Sequence, residues 1–193
     1  MSNPIADKDS VFAILIGTNG TGKSTVLRQI MEKSRVNGNR VLVIPSNLSE
    51  PSFKDIPQIH VKDLNTFSGA KKIMCYNTAE FAYIAKRLRN CTLISDDFRN
   101  YIEQSQMHPD VRRLFVDRRH NNIDIYMAAH GPAQIPPAFY DWLDFIFLFR
   151  TVGNFKRAQD KLLSFDVLLE KQKQINHIAQ TSNPYHYEII RNG

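Results

Sequence analysis

Cysteine is scarce: 193 residues hold two thiols, Cys75 and Cys91. Both lie in or beside apolar, strand-like runs, and their spacing fits no metal motif. That excludes a disulfide scaffold and a cysteine-ligated zinc site, and points to core thiols of a reducing compartment. Long apolar runs are missing too. No stretch approaches the ~20 residues of a membrane span, and the most apolar window, "DWLDFIFLFR", reads as a buried strand. The leading residues Met1 to Ser10 are polar and show no secretory pattern. Repeats, low-complexity segments and linkers are also absent, so one domain spanning residues 1–193 is expected.

What is present is a regular alternation. Strand candidates are Val11–Ile16, Arg40–Ile44, Lys72–Tyr76, Cys91–Ser95, Ile123–Ala129 and Asp144–Phe149. Helix candidates include Lys23–Ser34, Thr78–Arg89, Pro109–His120 and Phe155–Ile175. Ser46 to Asn65 reads as a loop excursion, and "HYEII" near the end reads as a final strand. The strands are uniformly apolar rather than alternating, as in a mostly parallel sheet covered by helices on both faces. The net charge of +6 favours a polyanionic partner.

The stretch "GTNGTGKST", Gly17 to Thr25, follows the first apolar run and fits the P-loop pattern G-x-x-x-x-G-K-[ST]. Its glycines let successive backbone N–H groups turn toward phosphate oxygens. Asn19, Gly20, Thr21, Gly22, Lys23, Ser24 and Thr25 are therefore candidate nucleotide-binding residues. Lys23 supplies a point charge for the β- and γ-phosphates, and the Ser24 hydroxyl is a Mg²⁺ ligand. The helix that starts here adds its positive end.

About 70 residues later, "CTLISDDFRNY" carries an apolar strand that ends in two acids. This resembles a Walker B element. Asp96 then holds Mg²⁺, directly or through water, and Asp97 orients or deprotonates the attacking water.

In "VDRRHNNIDIYMAAHGPAQIP", Val116 to Pro136, a basic helix end leads into a strand that ends on His130 before a Gly-Pro loop. This resembles the FtsK/HerA superfamily of P-loop motors, a RecA/ASCE-like P-loop NTPase fold. There an arginine precedes the fourth strand, and that strand ends in a polar sensor. The resemblance places His130 at the sensor and Arg119 at the arginine position, with Arg118 in reserve. Within the superfamily, the chain resembles the genome-packaging ATPases of membrane-containing icosahedral viruses, over roughly Val11 to Arg150. It departs from them in two places. Asp97 stands for a glutamate and is one methylene shorter, and His130 stands for a glutamine, so that protonation becomes a variable.

The resemblance implies ATP and Mg²⁺ as cofactors, with Lys23, Asp97, Arg119 and His130 as catalytic residues. It implies a homo-oligomeric ring acting on double-stranded DNA, with capsid or membrane vertex proteins as further partners, in the virion and host cytoplasm. Candidate DNA-gripping residues are Arg99, Arg112, Arg113, Lys71 and Lys72. A Zot-like phage export ATPase shares a similar "RRH" stretch but carries a membrane span. A nucleoside or nucleotide kinase would need an arginine-rich lid and an acceptor-binding acid. A scaffold protein that only binds ATP is the remaining reading.

Overall fold

The apolar runs come together as one seven-stranded sheet. The computed structural model describes residues 10–102, 107–162 and 165–192; the polar stretch from Met1 to Asp9 lies outside them. The strands are β1 (Phe12–Ile16), β2 (Arg40–Ile44), β3 (Ala70–Lys72), β4 (Cys91–Ser95), β5 (Ile123–Ala129), β6 (Phe145–Phe149) and β7 (Tyr187–Arg191). Their order is β3-β2-β4-β5-β1-β6-β7. All neighbours pair in parallel except β6 and β7, which are antiparallel.

The alternation of side chains along each strand explains why the strands are apolar throughout. Leu15, Val41, Val43, Ile94 and Ala128 face one way and pack on Val26, Leu27 and Met31 of helix α1 (Lys23–Val36). Phe12, Ile14, Leu42, Leu93, Ile125 and Met127 face the other way. They meet Phe81 of α2 (Thr78–Ala85), Phe115 of α3 (Pro109–Val116), and Leu168 and Ile175 of α4 (Phe165–Thr181). The expected parallel sheet with helices on both faces is what forms. Both thiols are buried and free, and burial pushes each up to about 12.

Several boundaries differ from those the sequence suggested. The third strand is Ala70–Lys72, not Lys72–Tyr76. Ile73 N still donates to Val43 O at 3.0 Å, and beyond it the chain leaves the sheet, with Cys75 buried in the core. Lys72 itself is 6% exposed. Its Nζ donates to the carbonyls of Phe53 at 3.1 Å and Lys54 at 3.2 Å, which pins the excursion between Ser46 and Asn65 to the sheet. Helix α2 stops at Ala85 and α3 at Val116, each short of the expected end. The last helix begins at Phe165 rather than Phe155; Lys156–Ala158 forms a separate short turn. The expected final strand is present and is the antiparallel β7.

Two aspartates close the amino ends of the central strands. Asp124 Oδ1 accepts from Val11 N at 3.0 Å, and Asp144 Oδ2 accepts from Phe12 N at 2.7 Å. Both fix where β1 enters the sheet. The opposite, carboxyl ends of these strands carry the cleft described next.

Candidate nucleotide site

The phosphate-loop sequence leaves β1 between its two neighbours. Gly17 N donates to Ala129 O at 3.1 Å, and Thr18 N to Arg150 O at 2.9 Å. Gly17 has no room for a side chain, because a Cβ there would stand 2.5 Å from Phe149 Cβ. Gly22 has φ +94°, a left-handed conformation that glycine adopts without penalty. It lets the chain turn straight into α1, whose first N–H groups have no side-chain cap. Lys23 Nζ lies back over the loop and donates to Gly17 O at 2.8 Å and Thr18 O at 2.9 Å. Burial holds the Lys23 ammonium below its usual range, against the opposing pull of Asp96 and Asp97.

At the end of β4, Asp96 N donates to Ile44 O at 2.9 Å, which sets the acid beside the phosphate loop. Ser24 Oγ donates to Asp96 Oδ2 at 3.0 Å. Burial pushes Asp96 up to about 6, with the Ser24 bond opposing. A cation here would offset that burial. The donor set suits Mg²⁺, which takes one or two protein oxygens and fills its remaining positions from phosphate and water. Ser24 and Asp96 are the candidate holders of such an ion; among the described residues no group of three or more His, Cys, Asp or Glu could hold a metal.

Asp97 is bent into the left-handed region, at φ 67°, which is uncommon for a residue with a side chain. Its Oδ2 lies 3.2 Å from His130 Nε2. The His130 backbone is held in turn, its N–H donating to Gln134 Oε1 at 2.9 Å. Arg99 Nε donates to Asp97 Oδ1 at 2.6 Å, and a second guanidinium nitrogen donates to Oδ2. Burial works to raise the Asp97 carboxyl, but Arg99 outweighs it and the carboxyl sits below its usual range. Burial and the nearby Lys23 charge lower His130, so the imidazole is neutral at neutral pH.

One cleft of about 420 Å³ gathers these groups. All seven expected phosphate-loop residues, Asn19 to Thr25, line it together with Asp96, Asp97 and His130. Ser46, Glu50 and Tyr185 line it too, and the sequence singled out none of them. Tyr185 comes from the turn before β7. Its ring approaches within 3.5 Å of the position a Gly22 Cβ would take, and it is 63% exposed. No motif marks these three; the loop after β2 and the antiparallel return of β7 bring them in.

The arginines before β5 lie elsewhere. They stand at its amino end, and His130 at its carboxyl end, ~20 Å apart for a strand of this length. Arg118 is 6% exposed; it donates to Asp144 Oδ2 at 2.9 Å and to Phe115 O at 3.1 Å. Arg119 is exposed, with Asp144 Oδ1 at 3.7 Å. The structure therefore does not bring Arg119 to the cleft of its own chain.

One of the candidate gripping residues is corrected: Lys72 is buried and held by carbonyls. Arg99 is exposed and pairs with Asp97. Arg112 and Arg113 are exposed on α3, and Lys71 is half-buried. Among the described residues no helix is long and apolar enough to cross a membrane.

No protein-family model and no curated protein matches the chain. Solved structures do. The genome packaging NTPase B204 from Sulfolobus turreted icosahedral virus 2, in complex with AMP, superposes with a TM-score of 0.73 at 16% identity, over 96% of this chain and 94% of that one. Its complex with AMPPCP gives 0.72 at 15% identity, over 96% and 94%. B204 described as the DNA-packaging ATPase from Sulfolobus Turreted Icosahedral Virus gives 0.65 at 14% identity, over 97% and 99%. The chain therefore has the P-loop NTPase fold, in the form built by a viral genome-packaging NTPase, in accord with the resemblance its motifs carry.

Proposed function

We propose that the chain is one Mg²⁺-dependent ATPase domain that couples hydrolysis to movement of double-stranded DNA, as a genome-packaging motor. The observation that carries the reading is the pairing of Ser24 with Asp96 beside Asp97 with His130 in one cleft. The first pair suits a metal and the second suits a water molecule. A kinase needs an acceptor-binding acid and an arginine-rich lid instead. The near-complete overlap with B204 supports the packaging role.

In this account the phosphate-loop N–H groups and Lys23 hold the triphosphate. Ser24 and Asp96 hold Mg²⁺, which when bound neutralises charge on the β- and γ-phosphates. Asp97, with its carboxyl held low, orients the attacking water by accepting its hydrogen bond. Water oxygen attacks the γ-phosphorus, the bond to the ADP oxygen breaks, and the water proton leaves with the phosphate. Neutral His130 fixes the Asp97 carboxylate. Arg119, out of reach of its own cleft and exposed, completes the cleft of the next subunit in a ring. An arginine delivered in trans neutralises charge on the transferring phosphoryl group.

The test is ATP turnover by the pure protein with and without double-stranded DNA. Stimulation by DNA of any sequence, declining steeply with salt, is expected. Phosphate transfer to a nucleoside or nucleotide, with no response to DNA, would replace this reading with the kinase.

A further inference from the structure

Arg99 pairs with Asp97 of the cleft and has no task in the account above. It follows Asp97 by two residues on a short turn after β4. Its guanidinium grips both Asp97 oxygens, and His130 Nε2 lies against Oδ2 as well. A carboxylate so filled has little capacity left to accept a hydrogen bond from water. One donor must leave before Asp97 can orient a nucleophile. His130 is fixed through its backbone by Gln134. Arg99 has a long unbranched stem and a side chain 44% exposed, so it is the donor free to move.

The destination is close by. Asp97, which the guanidinium grips, lines the same cleft as Lys23 and the phosphate loop. The guanidinium therefore stands at the cleft that receives the terminal phosphate. A γ-phosphate presents paired anionic oxygens, which a planar guanidinium binds through two parallel bonds. It would compete with Asp97 for the same fork.

We propose that Arg99 is a γ-phosphate ligand in cis, which moves from Asp97 to the triphosphate and thereby frees Asp97 to orient water. The inference rests on the nucleotide assignment of the cleft. ADP has no γ-phosphate, so with ADP bound the arginine stays on Asp97. The exchange makes the cleft distinguish ATP from ADP and keeps the water-orienting carboxylate masked until triphosphate arrives.

The test is calorimetric titration of the full chain with AMPPCP and with ADP, both with Mg²⁺. Arg99→Ala should weaken AMPPCP binding about tenfold or more, the contribution of a charge-assisted pair, and change ADP binding by less than about twofold. Retained ADP affinity also reports that the variant is folded. Asp97→Asn removes the competitor and should tighten AMPPCP binding. That gain should shrink when Arg99→Ala is added, because the two changes act on one equilibrium. Equal losses for both nucleotides, no change for either, or strictly additive effects in the double variant would overturn the proposal. A wild-type chain that binds neither nucleotide would overturn the assignment of the cleft itself, an outcome distinct from a loss confined to the variants.

Discussion

Two arginine–aspartate pairs stand at opposite ends of the strands, and they differ in kind. At the amino end the buried Arg118 meets the half-buried Asp144 across 26 positions of sequence, and the same carboxylate holds the start of β1. At the carboxyl end Arg99 meets Asp97 across two positions, at the mouth of a cleft, on a backbone bent to positive φ. The first pair ties separate elements together. The second lies within one short turn, and its backbone conformation costs on the order of 1–3 kcal/mol. The contrast teaches that the same ion pair can serve the fold or a site, and that sequence separation, burial of the arginine and strain tell which.

Substitutions can break this contrast, and the largest effect belongs to the cleft end. Lys23→Ala should abolish ATP turnover and weaken triphosphate binding, because the β- and γ-phosphates lose their charge partner. Normal turnover of that variant would remove the cleft from the chemistry. Asp97→Asn should lower kcat by roughly 10²-fold or more, as for loss of a water-orienting base. It should not lower Tm, because asparagine accepts positive φ and a partly exposed local pair contributes little. A Tm drop with unchanged kcat would make the Arg99 pair a fold element after all.

The amino end should behave in the opposite way. Arg118→Ala leaves Asp144 without its buried partner and should cost about 3 kcal/mol, or roughly 6–12 °C in Tm for a chain of this size. Nucleotide affinity, measured below the transition, should stay as it was. The smallest effect is expected at Tyr185. Tyr185→Ala removes an exposed ring from the cleft wall and should raise KM for ATP only a few-fold, about 1 kcal/mol of stacking, with Tm unchanged. A loss of kcat there would move Tyr185 into the reaction itself.

The carboxyl end was largely legible in the sequence, because its groups are contiguous. Gly17 to Thr25 is one unbroken pattern, Asp96 and Asp97 end one apolar strand, and His130 ends another. What sequence did not disclose depends on the chain returning from a distance. Glu50 and Tyr185 reach the cleft from a loop and from an antiparallel edge. Lys72 reads as surface because lysine usually is; its burial follows from three carbonyls of the excursion that converge on it. Arg99 reads as a free basic residue, since nothing in the spacing D-D-F-R announces that the guanidinium folds back. The difference between Arg118 and Arg119 likewise depends on Asp144, 26 positions after Arg118, which meets the buried Arg118 at 2.9 Å and the exposed Arg119 at 3.7 Å.

The central claim is that the exposed arginine at the amino end of one subunit serves the cleft at the carboxyl end of the next. Mixing tests it most directly. Arg119→Ala subunits have an intact cleft and no arginine to lend; Lys23→Ala subunits have the reverse defect. Each alone should be inactive, since a trans arginine contributes on the order of 10³–10⁵ in rate. Mixed on double-stranded DNA, they should partly recover ATP turnover, because some interfaces pair an intact cleft with an intact Arg119. Full turnover by Arg119→Ala alone, or no recovery in rings shown to contain both variants, would contradict the account.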